Sequence, residues 1–280
     1  MHQDDDLSGY VIYLKAREGS VFKNFVEFCY AALDVLVFRV SSKGLTMNAD
    51  NRKEGKAETL LCSLDMPREN FEIFHIPPEI DEDSDGEIVL PVEAKNLRSL
   101  TSGVLKKDLL LISVSKDKVN MLVVEVQNLE KERRSHGSVR LIDQHTLSKE
   151  QLDPVSPCDY DRSKPTATIL ASEFQKACKA GTQHKAEYTR VVAQSKGISF
   201  HVDNAEVSKT FPFGSLDKDG VETYCHDFRV KDNIGAIPKC CPMTKNVRVY
   251  CSGKKPLLIN FNAGMSGKFD VYFVPVQKAL

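Results

Sequence analysis

Apolar residues recur at helical spacing twice along the chain: at Phe22, Phe25, Val26, Cys29 and Leu33 in "SVFKNFVEFCYAALD", and at Phe174, Ala177 and Cys178 in "SEFQKACKAG". Each stretch opens on a serine, Ser20 or Ser172, which predicts a side-chain N-cap. Each is followed by apolar–polar alternation around a Lys-Gly: "SKGLTMNAD" from Ser42 and "SKGISFHVD" from Ser195. That pattern predicts two strands joined by a tight turn. Further along, "LLLISVSKDKVNMLVVEV" from Leu109 and "VRVYCSGKKPLLINFNA" from Val247 both read as strand, turn, strand. The order helix, hairpin, further strands therefore occurs twice, and duplication is its simplest explanation. The fold class expected is α+β, with two similar domains built mostly from antiparallel strands.

Two further helices are predicted. "AKNLRSLTSGVLKK" has an apolar stripe at Leu97, Leu100 and Val104, and "NIGAIPKCCPMTK" reads as a weaker helix interrupted by Gly235. Between the halves, "NLEKERRSHGSVRLIDQHTLSKEQLDPVSPCDYDRSKP" begins highly charged, and "SVRLID" within it reads as a closing strand. Pro154, Pro157 and Pro165 then mark an extended linker. This places an N-terminal domain at residues 8–143, a connector at 144–164 and a C-terminal domain at 165–280.

A length of 280 residues suits two domains. No apolar run is long enough for a membrane helix and no charged-then-apolar leader opens the chain, so no membrane association is expected. The eight cysteines show no CxxC or metal-ligand spacing and read as reduced structural thiols. A net charge of −1 argues against a uniformly basic nucleic-acid binder, but the charge is unevenly spread. Lys95, Arg98, Ser102 and Lys106 fall opposite the Leu97 stripe, and no acid interrupts residues 94–107. Lys176 and Lys179 occupy the polar face of the second-half helix, and Lys239 lies near the end of the weaker one. Acid collects elsewhere, at residues 81–87 and at Asp159, Asp161, Asp217 and Asp219. Such segregation predicts one positive surface offered to a polyanion.

Candidate chemistry adds little. "DEDSDGEIVLPVE" from Asp81 imitates a calcium loop, but its twelfth position is Val92 rather than glutamate. Pro77 and Pro78 argue against an incoming helix, so the stretch reads as a solvated acidic loop. The chain has no glycine-rich phosphate loop, HExxH or GxSxG. His75, His136, His145, His184, His201 and His226 read as ordinary surface or core residues. No enzymatic activity, cofactor or metal is expected.

Four stretches together carry a resemblance: "SSKGLTMNAD", "SVRLIDQHTLSKEQLDPVSPCDY", "SEFQKACKAGTQHKAEYTRVVAQSKGISFHV" and "KPLLINFNAGMSGKFDVYFVPV". In order and spacing the chain resembles the sliding DNA clamps of the proliferating-cell nuclear antigen family over nearly its whole length. The resemblance implies the DNA-clamp fold, with helices lining the inside of a ring, antiparallel sheets outside and three chains per ring. It implies a DNA polymerase processivity factor that encircles duplex DNA without sequence preference. Lys23, Lys95, Arg98, Lys106, Lys176, Lys179 and Lys239 would line the ring. The strand near residues 119–126 would pair with the edge near residues 203–210 of the next copy. A partner-peptide pocket would lie between Leu152, Pro154 and Val155 on one side and Tyr272, Phe273, Val274 and Pro275 on the other. The partners implied are DNA polymerase, a clamp loader and other clamp-binding peptides, in the nucleus or at a site of viral DNA replication. Three departures bear on this: Glu27 accompanies Lys23 on the first helix, "NADNRKEGKAE" is long and charged, and Asp153 stands where a small connector residue is usual. A subunit of the related heterotrimeric checkpoint clamp, or a monomeric accessory factor in viral replication or transcription, are the alternative readings.

Overall fold

The computed structural model describes residues 7–51, 59–82, 86–128, 130–152, 158–194, 197–216, 220–230, 234–253, 255–263 and 267–274. The chain forms two compact units. One takes Met1–Asn48, Leu64–Pro154 and Gly264–Gly267; the other takes Ala49–Ser63, Val155–Ala263 and Lys268–Leu280.

In the first unit, β1 (Tyr10–Ala16) leads into α1 (Gly19–Ala32), and β2 (Val35–Ser41) and β3 (Gly44–Asp50) form a hairpin. Then come β4 (Thr59–Pro67), β5 (Phe71–His75), the short α2 (Pro78–Glu82), β6 (Ile88–Glu93) and α3 (Ala94–Thr101). β7 (Leu109–Ser115), β8 (Met121–Asn128), β9 (Arg133–Arg140) and the one-turn α4 (Lys149–Leu152) complete it. One sheet runs β5-β1-β7-β8-β9, and the other strands lie in the order β4-β3-β2-β6. The apolar stripe of α1 is buried as its spacing predicts. Phe22 and Phe25 pack on Phe38 of β2 at ring-centroid distances of 5.7 and 6.2 Å, each worth about 1.5–3 kcal/mol of apolar burial. The hairpin turn fixes its glycine. Gly44 has φ +142°, and a Cβ there would stand 2.3 Å from the Met66 carbonyl oxygen, so no other residue fits without backbone movement.

The second unit repeats the plan. β10 (Ala167–Leu170) leads into α5 (Ala171–Gln183), followed by the hairpin of β11 (Tyr188–Gln194) and β12 (Gly197–Asp203). β13 (Ser208–Gly214), β14 (Tyr224–Arg229), β15 (Asn246–Tyr250), β16 (Leu257–Asn262) and β17 (Lys268–Val274) follow. The sheets run β13-β12-β11-β14 and β10-β15-β16-β17. Phe174 of α5 meets Phe200 of β12 edge-on at 5.5 Å, the counterpart of the Phe22–Phe38 contact.

Several local expectations are corrected. Neither serine caps its helix: Glu18 and Leu170 hold the N-cap positions and make no side-chain cap bond. Backbone carbonyls take the serines' place, since the Gly19 N–H donates to Asp108 O at 2.9 Å and the Ala171 N–H to Lys245 O at 3.0 Å. A short helix does start at Pro78, because proline is tolerated at the first helical position, where its missing N–H has no role. The segment after β14 folds as two 3₁₀ turns, Ile234–Lys239 and Cys241–Met243, with Pro238 inside the first. Proline and Gly235 disfavour a continuous α-helix there. The strand expected at an edge, residues 119–126, is β8, which lies between β7 and β9. The edge is β9.

Candidate nucleic-acid interface and sheet edges

The cations expected on helix faces fall into two sets, one in each unit. On α3, Ala94, Leu97 and Thr101 are buried, which turns Lys95 and Arg98 outward, three residues apart on one exposed face. The Arg98 guanidinium lies over the ring of Tyr30 of α1, 4.6 Å from its centroid. Lys106 is exposed but sits in a turn beyond the helix, which ends at Thr101. Lys23 is tied down: its amine donates to the Val104 carbonyl at 3.1 Å. On α5, Lys176 and Lys179 are exposed on one face, and Lys176 pairs with Glu173 at 2.9 Å. Lys239 is exposed at the end of a 3₁₀ turn that α5 holds, through a 2.9 Å bond from Gln175 to the Pro238 carbonyl.

Each unit also ends one sheet on a strand whose outer side is unpaired among the described residues. At β9, the Leu141 N–H donates to Asn120 O at 2.8 Å. By strand alternation Arg134, His136, Ser138 and Arg140 therefore aim their backbone groups away from β8. Arg133, at the start of β9, is anchored inward on the buried Asp108 carboxylate at 2.6 Å. Burial works to raise the Asp108 carboxyl, but the Leu105 N–H, Asn128 and Arg133 outweigh it and hold it below the ordinary range. At β13, the Asn204 N–H donates to Val207 O at 2.9 Å, so Ser208, Thr210, Pro212 and Gly214 face outward. Pro212 thus puts its missing N–H on the open side, where β12 needs no donor. Phe211 and Phe213 of β13 are half-buried, and Lys209 stacks on Phe211 at 5.1 Å.

The residues expected around a peptide pocket differ in access. Leu152 is half-buried at the end of α4, and its carbonyl accepts from Arg39, which also pairs with Glu87. Tyr272 is buried beneath Arg162, which donates to its hydroxyl at 2.9 Å and grips Asp270 at 2.8 and 3.1 Å. Burial, reinforced by Asp270 and opposed by Arg162, pushes the Tyr272 phenol up to about 12. Phe273 is fully buried against Phe228, at 6.0 Å between ring centroids. It supports a neighbouring surface and offers none of its own. Val274 is half-buried, and Pro154, Val155 and Pro275 lie outside the described residues. Arg39, Arg162 and Tyr30 are the participants that sequence reasoning missed. Only Tyr30 had a signal, its position seven residues after Lys23 on the same helix face.

No protein-family model matches the chain. A protein similar along almost its whole length is the probable DNA polymerase sliding clamp 1 of Paramecium bursaria Chlorella virus 1. It is 20% identical over 282 residues, 98% of this chain and 99% of that protein. The crystal structure of the proliferating cellular nuclear antigen (PCNA) from Entamoeba histolytica matches with a TM-score of 0.73 at 17% identity, over 95% of this chain and 99% of that one. In fold, the chain is a divergent PCNA-like clamp. The PCNA-like fold agrees with the doubled helix–hairpin order of the two units. The divergence is visible on α1, where the PCNA-like helix face carries Lys23 bonded to a carbonyl and an exposed tyrosine.

Proposed function

We propose that the protein is a sliding clamp, a DNA polymerase processivity factor that surrounds duplex DNA and tethers replication and repair enzymes to it. The observation that carries this reading is the repeated placing of exposed cations on helix faces, Lys95 and Arg98 on α3 and Lys176 and Lys179 on α5. Lys106 and Lys239 extend the two sets. Side chains of this kind neutralise phosphates without reading bases, so the ring holds DNA of any sequence and slides along it. Lys23 contributes least, because its amine is held by the Val104 carbonyl.

Three copies close the ring head to tail, with the open side of β9 in one copy against β13 in the next. The domains at 8–143 and 165–280 act as the two clamp repeats of each copy, joined by the connector at 144–164. Partner peptides of the polymerase and the clamp loader dock along Leu152, Pro154, Val155, Val274 and Pro275, over Tyr272 and Phe273. The protein acts by tethering rather than by chemistry, in the nucleus or at a viral replication site. The viral relative, named a probable DNA polymerase sliding clamp, supports this reading.

The test replaces Lys95, Arg98, Lys176 and Lys179 together by alanine. Polymerase stimulation on primed DNA should disappear while sedimentation still reports a trimer. Undiminished stimulation, or a wild-type protein that stays monomeric at high concentration, would overturn the proposal.

A further inference from the structure

Arg98 has a specific neighbour on the exposed helix face of the first unit. Tyr30, near the end of α1, is 40% exposed, an unusual degree for so large a ring. The Arg98 guanidinium lies over it at 4.6 Å. α1 and α3 pack directly together, so the contact joins two elements of one rigid layer. An exposed arginine beside a carboxylate would be held still but neutralised. An aromatic face holds the guanidinium through its quadrupole and leaves the full positive charge and the N–H donors for another anion. Holding it also spares part of the rotamer entropy that a long side chain loses on binding.

We propose that Tyr30 is a positioning residue for DNA contact: its ring holds the Arg98 guanidinium outward and charged, ready for a backbone phosphate. This rests on reading the helix face as the surface that meets DNA. It gives α1 a part at that surface that Lys23, bonded to the Val104 carbonyl at 3.1 Å, does not supply.

The experiment measures fluorescence anisotropy of a short labelled duplex across a salt series, with melting curves for every protein. The proteins are wild type, Tyr30→Phe, Tyr30→Leu, Arg98→Ala and the Tyr30→Leu/Arg98→Ala double variant. Arg98→Ala should lower the salt slope by about 0.9, the loss of one phosphate contact. Tyr30→Leu should weaken binding about two- to fivefold, and Tyr30→Phe, which keeps the ring, should match wild type. The double variant should bind no worse than Arg98→Ala alone, because the ring acts through the arginine. Additive effects of the two substitutions, or a Tyr30→Phe as weak as Tyr30→Leu, would overturn the positioning role and leave the DNA-facing reading intact. If Arg98→Ala changes neither affinity nor slope, the helix face does not meet DNA and both readings fall.

Discussion

Single side chains in this protein take their roles from what lies within about 3 Å of them, and residue type alone misleads. Lys23 and Lys95 look equivalent on a helical wheel, yet one amine is bonded to the Val104 carbonyl and the other side chain is exposed. Leu152 shows the same dependence. Arg39 holds its carbonyl at the end of α4, which fixes where its half-buried side chain points. A partner peptide that completes its burial gains about 1.5 kcal/mol or more, so Leu152→Ala should weaken such a peptide roughly tenfold. Calorimetric titration with a peptide carrying paired aromatic residues measures this. A parallel melting curve should barely move, because a connector side chain supports little core. Equal affinities would place the peptide elsewhere.

At the level of elements, Asp108 ties the turn after α3 to two strands. Its carboxylate accepts from the Leu105 N–H at 2.9 Å and from Arg133 of β9 at 2.6 Å, and Asn128 of β8 donates to its other oxygen. These donors depress its pKa, so its contribution to stability is present in full above the unfolded carboxyl value of about 4 and is lost as pH falls through the lower folded value. Asp108→Asn should therefore cost about 1.5–3 kcal/mol at neutral pH, toward the lower end because Arg133 is partly exposed. Melting curves should show the gap between wild type and variant narrowing below pH 4. A gap that is constant with pH would mean that charge at Asp108 is not what holds β9.

For the whole molecule, the distinction between internal and edge strands governs assembly. Val123 lies in β8, paired on both sides, so proline there should remove a ladder bond, cost about 3 kcal/mol or more and unfold the first unit. Ser138 lies opposite it on β9, with its N–H aimed outward. Ser138→Pro should leave the monomer folded and abolish only the proposed ring. Sedimentation combined with circular dichroism separates the two outcomes. A Ser138→Pro protein that still forms trimers would move the interface away from β9.

Much of this architecture was legible in the amino-acid order because it depends on local rules. The spacing of Phe22, Phe25 and Cys29, the alternation on either side of Gly44, and their repetition at Phe174 and Gly197 follow from helical and strand periods and from a turn that only glycine fits. The outward placing of Lys95, Arg98, Lys176 and Lys179 follows from the same periods, since a buried stripe dictates the exposed one. Other features depend on chain segments far apart in sequence, and only the tertiary structure decided them. Asp108 and Lys245 offer the carbonyls that start α1 and α5, so the serines are not needed as caps. The arrival of β9 beside β8 makes an apolar strand internal and a charged one the edge. The packing of α1 on α3 turns Tyr30 from a misplaced aromatic into the neighbour of Arg98. Periodicity determines which face of an element is buried; which partner covers it is determined by long-range pairing that no local pattern encodes.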